Sequence, residues 1–113
     1  MSQDAARQLL LQFLDEHVFD PVLRVSPDRV DRREAFEDAQ ARSERTKTRC
    51  HACGSAEEIR SLCLAAIESR DGCKADRELD RLGLPTLTRL ARHIFALCDQ
   101  LGVGLYEPLH ASV

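Results

Sequence analysis

Cys50-His51-Ala52-Cys53 is the run whose residue types and spacing suit chemistry most directly. Two thiols three apart in a tight turn can reach one ion, and zinc takes four such ligands in a tetrahedron. A complete site needs a second pair, yet the remaining candidates, Cys63, Cys73, Cys98, His51 and His93, fall at irregular intervals. Cys63 and Cys98 lie on apolar stripes, where a free cysteine acts as a small buried hydrophobe. Cys73 is then the thiol that packing leaves unclaimed, and the candidate metal residues are Cys50, Cys53 and Cys73. Ordinary loop cysteines are the simpler reading. No cofactor is expected by default, and zinc is the ion the pair would take if it took one.

Thiol redox chemistry is a second use for such a pair. Cys53 precedes a helix start, whose dipole lowers a thiol pKa. The βαβ setting of thioredoxin-type motifs is missing, and covalent haem attachment needs a His where Gly54 stands.

Arg42, Arg45, Lys47 and Arg49 precede the pair, with Glu44 as the one opposing charge among them. They are the candidate phosphate contacts of a nucleic-acid-binding module. The stretch from Leu79 to Leu101 adds a helix–turn–helix outline with Arg89, Arg92 and His93 on its second helix, though any two-helix hairpin shares that outline. The net charge of −3 argues against a broad basic interface. No Ser-His-Asp set, glycine-rich phosphate loop or inward carboxylate pair stands out, so the chain is not expected to be an enzyme.

Helices must hold these residues in place. With 43% hydrophobic and 31% charged residues over 113 positions, the composition is that of one globular domain. Aromatics make up 4%, so the core must be built from Leu, Ala, Val and Ile. Apolar residues recurring at three and four predict a compact all-α bundle of about five helices, over 3–18, 28–48, 56–70, 74–82 and 87–101. Phe19-Asp20-Pro21 ends the first, because proline disfavours helical geometry in the residue before it. Ser26-Pro27 opens the second, Ser55 with Glu58 caps the third, and Asp71-Gly72 closes it. Gly83 stops the fourth, Thr86 caps the fifth, and Gly102 and Gly104 end it. Short links at 71–73 and 83–86 imply antiparallel αα-hairpins in the C-terminal half. The domain is expected to span 1–113, with 102–113 as a flexible tail that Tyr106 and Leu109 dock on the body.

The second helix carries few apolar residues, so it is expected to bury little of itself, with Arg42 to Arg49 fraying. Val30, Phe36 and Ala39 are then its contact points for another molecule. Leu11 and Phe19 give the first helix a second sticky edge. Function is expected to be protein interaction or regulation, with a protein partner or a second copy of the chain, in the cytoplasm. No apolar run approaches the roughly 18 residues a bilayer-crossing helix needs. Gln12, Asp15 and Glu16 break the one N-terminal apolar run that a signal peptide would require. Five cysteines, an odd number, are expected to be reduced.

Overall fold

Leucines at 10, 11 and 14 with Ala6 put one apolar face on the first helix, and that face seeds the larger of two cores. In the computed structural model, which describes residues 2–107, six α-helices follow one another without a strand among the described residues: α1 (Gln3–Leu14), α2 (Asp20–Leu23), α3 (Arg33–Ala52), α4 (Ala56–Glu68), α5 (Arg70–Arg81) and α6 (Leu87–Gln100). α1 and α2 are one rod joined by a π-helical turn (Asp15–Phe19), so the bundle is effectively five-membered. No helix of the described residues is long and apolar enough to cross a membrane. Caps fall where short polar side chains predict them. Ser2, Ser55 and Thr86 accept from the backbone N–H groups of Ala5, Glu58 and Arg89, at 3.1, 3.2 and 2.9 Å, and such caps contribute about 1 kcal/mol each. Glu58 closes its box one residue early, accepting from the Gly54 N–H at 3.0 Å.

Four departures from the expected boundaries have physical causes. The first helix does not stop at Pro21. The chain widens into the π turn, where the Asp20 N–H bonds to the Asp15 oxygen five residues back. Widening relieves the clash between a proline ring and the preceding turn, and Pro21 then sits in the first turn of α2 where its missing N–H is not needed.

The second helix begins at Arg33 rather than 28. Pro27–Arg29 form only a 3₁₀ turn, and Val30 is extended (φ −107°, ψ 148°). Tertiary anchors override helix propensity there. Arg81 grips Asp31 through two hydrogen bonds of 3.2 and 2.9 Å, and Arg32 lies 3.5 Å from Glu78.

At its other end α3 does not fray but runs on to Ala52. Arg7 donates to the His51 and Cys53 carbonyls at 2.9 and 2.8 Å. A cation there complements the negative end of the helix dipole. Lys47 pairs with Asp20 at 2.8 Å, and His51 with Asp15 at 2.8 Å. The Lys47 ammonium is held above its ordinary pKa chiefly by that bond to Asp20.

The third and fourth helices meet at Ser69 alone. Gly72 is not a stop but lies buried in the first turn of α5. The left-handed glycines fall at Gly83 (φ +73°) and Gly102 (φ +71°), which close α5 and α6 as expected.

The larger core joins α1, the π turn, the end of α3, α4 and α6 through Leu10, Leu14, Phe19, Cys50, Ile59, Cys63, Ile94 and Cys98. The smaller core holds Val22, Phe36, Ala39 and Leu79, with Val25, Val30, Ala75, Leu82 and Leu84 around it. α5 packs chiefly along α3, and α6 on α4 and α1. Leu11 and Phe19 are buried rather than a sticky edge; Leu9 is the exposed leucine of α1, at 42%. Past α6 the chain is tied down over its first residues. Val103 is buried, Arg60 donates to its carbonyl at 2.6 Å, and the Tyr106 N–H donates to Ser61 at 2.8 Å. Leu109 and His110 lie outside the described residues.

Candidate functional site

The cysteine run is not the tight turn that the spacing suggests. Cys50 occupies the last turn of α3 with its side chain fully buried, and Cys53 is the residue that ends the helix. Cys50 and Cys63 are free, buried thiols of the same core, and hydrogen bonding with the Cys63 thiol, together with burial, pushes the Cys50 pKa far up. Cys53 donates to the Arg49 carbonyl at 3.3 Å, and burial raises its pKa as well. Both thiols of the metal-free chain are therefore held protonated, the state least suited to nucleophilic chemistry. Cys73 is exposed on α5. Among the described residues no three His, Cys, Asp or Glu side chains gather as metal ligands. Treating the purified protein with a zinc chelator should leave its melting temperature unchanged. A fall of several degrees would show a bound metal, with Cys50 and Cys53 as its first candidate ligands.

The four basic residues before the run are dispersed around α3. Arg42 is spent inside, donating to Ser69 Oγ at 2.7 Å and the Ala66 carbonyl at 3.3 Å. Lys47 faces α2. Only Arg45 and Arg49 remain exposed and without an ionic partner among the described residues. The three expected contact points turn inward. Phe36 and Ala39 are buried at 0% and 2% in the smaller core, and Val30 is half-buried against it. Their side chains are thus occupied within the chain.

What lies open is the groove between α3 and α5. The two helices run antiparallel, since Arg42 reaches Ser69 before the start of α5 while Arg32 reaches Glu78 near its end. The groove encloses about 1040 Å³. Basic and acidic side chains of α3, its N-cap Arg32 and α5 line it: Arg32, Arg33, Arg42, Arg45, Lys74, Arg77 and Arg81 against Glu34, Asp38, Asp71 and Glu78. At one end Glu78, 7% exposed, bonds to Arg81 at 2.9 Å. That bond holds the Glu78 carboxyl below its usual range, as the bond from Arg81 also does for Asp31. Farther along, Arg45, Lys74 and Arg77 have no ionic partner among the described residues, nor do Glu34, Asp38 and Asp71. These six charges are exposed. Arg45 was visible as a candidate from sequence, but Lys74 and Arg77 were not. Their spacing of three on a helix with one strongly polar face was the available signal.

Asp76 sits on the inner side of α5, in a seam between the two cores lined by Phe19, Thr46, Leu79 and Thr86. It is half-buried, accepts from Thr88 in the first turn of α6, and burial raises its pKa above the ordinary 3.8. A carboxyl with a raised folded-state pKa binds its proton more tightly when folded, so stability falls as pH rises through that window. Asp76→Asn keeps an acceptor for Thr88 and removes the titration. Its stability relative to the parent should climb from pH 3.5 toward neutrality, then level off, in denaturation run across pH. A constant difference across that range would rule this out.

No family model, curated protein or solved structure matches the chain.

Proposed function

We propose that this protein is a protein-interaction module whose α3/α5 groove receives a segment of another polypeptide carrying charges of both signs. The observation that carries this reading is that six of the charges lining one open groove, three of each sign, are exposed and have no ionic partner among the described residues. A phosphate backbone would meet Glu34, Asp38 and Asp71 at close range and be repelled by them. A protein segment places a cation or an anion opposite each group, which is how charged interfaces gain specificity. Catalysis has less support, because the buried thiols are held protonated and the groove holds no nucleophile with a base beside it.

Lys74→Glu with Arg77→Glu tests the reading. Both side chains are exposed, so the fold should persist, checked by circular dichroism. Affinity capture with quantitative mass spectrometry should recover a protein with the parent chain that is lost with the double variant. Identical recoveries for the two would overturn the groove as the binding site.

A further inference from the structure

The solvent-facing rim of α3, from which Glu34, Asp38 and Arg45 also border the groove, carries a charge order that pairs with itself only when reversed. At about 100° per residue, Glu34, Asp38, Ala41, Arg45 and Arg49 fall within roughly an 80° arc. That arc lies opposite the buried face formed by Phe36, Ala39, Thr46 and Cys50. All five residues of the stripe are exposed. Its four charged members have no ionic partner among the described residues. Acids fill the N-terminal half and bases the C-terminal half. Glu34 and Arg49 stand equally far on either side of the Ala41–Arg42 peptide, and so do Asp38 and Arg45. The residue at the middle is alanine, small enough for two helices to approach where they cross.

We infer that α3 is the contact between two copies of this chain, paired antiparallel about a two-fold axis beside Ala41. Such an axis places Glu34 of one copy against Arg49 of the other and Asp38 against Arg45, each pair occurring twice, as an isologous interface requires. A parallel pairing would set acid on acid and base on base. The inference rests on the protein-binding reading and names a second copy as one partner. Because the attraction is between exposed charges, the dimer is weak and weakens with salt.

Sedimentation of the full chain over a range of concentrations tests it. The parent should show a reversible monomer–dimer equilibrium whose dissociation constant rises about tenfold or more between low salt and 0.5 M salt. Glu34→Arg with Asp38→Arg makes the stripe wholly basic, and Arg45→Glu with Arg49→Glu makes it wholly acidic. Each double variant should be monomeric alone, and an equimolar mixture of the two should form a heterodimer. A parent that is monomeric throughout overturns the inference, and the acid-to-base order then serves only the helix dipole. A parent dimer that survives either charge reversal, or a mixture that stays monomeric, overturns it equally. A second copy seated here shares Glu34, Asp38 and Arg45 with the groove and so competes with any other occupant; the groove reading is tested apart by Lys74→Glu with Arg77→Glu, which leaves the stripe intact.

Discussion

Phe36→Ala should lower the stability of the protein by about 3–5 kcal/mol, the usual cost of truncating a fully buried phenylalanine. Phe36 is 0% exposed and is the one aromatic residue of the smaller core, where Val22, Ala39 and Leu79 are its buried neighbours. That core has little else with which to fill the gap, so the cost should lie toward the upper end. Total stabilities of domains are on the order of 5–15 kcal/mol, so the variant should lose a large share of what holds it folded. Urea denaturation should show a lower midpoint. A shallower slope would show in addition that α5 and the 27–32 segment come loose before the larger core melts. A loss below about 1 kcal/mol would mean that the smaller core contributes little. Phe36→Asp, which would look from sequence like a way to split a dimer, should instead unfold this region by burying an unpaired charge.

That contrast marks where the sequence can be read and where it cannot. The stripes of α1, α4 and α6 were legible because each has leucine or isoleucine at helical spacing and a Ser or Thr cap in front. The closing glycines 83 and 102 were legible for a related reason, since a left-handed residue after an apolar period is a local signal. α3 was harder. Its buried face consists of Phe36, Ala39, Thr46 and Cys50, one large apolar residue among small or polar ones, so its periodicity looked too weak for burial. What covers Phe36 and Ala39 is the pairing with α5 and the grip of Arg81 and Glu78 on the segment before α3, contacts between residues up to 50 positions apart, while Cys50 packs into the larger core. Charged residues making such contacts look the same in sequence as solvated ones. The candidate site followed the same division. Arg45 and Arg49 stayed exposed as read, whereas Arg42 and Lys47 were drawn into tertiary bonds that no local spacing announces.

Gly72→Ala should destabilise the protein, although the same change in an open helix stabilises by roughly 0.5–1 kcal/mol. Gly72 lies in the first turn of α5, and its N–H donates to the capping Ser69 Oγ at 3.0 Å. A methyl group there would meet that Ser69 oxygen and an Arg42 guanidinium nitrogen, each at 2.8 Å, as well as the Ala66 carbonyl. None of the three is free to retreat. Arg42 bonds both Ser69 and Ala66, Ser69 Oγ donates to the Ala66 carbonyl at 3.0 Å, and that carbonyl also accepts the Ser69 N–H that ends α4. The whole corner between α4 and α5 is one knot of hydrogen bonds with a glycine-sized space at its centre. Overpacking such a site costs typically about 1–3 kcal/mol, which outweighs the gain in helix propensity. Removing the arginine separates the contributions. In an Arg42→Ala background the alanine at 72 loses one of its three clashes, so its penalty should shrink without vanishing. A double-mutant cycle in chemical denaturation should therefore show a coupling between 42 and 72 on the order of 1 kcal/mol. An additive result would mean that the Ala66 carbonyl and Ser69 alone set the need for glycine, and a stabilising Gly72→Ala would mean that the corner opens freely.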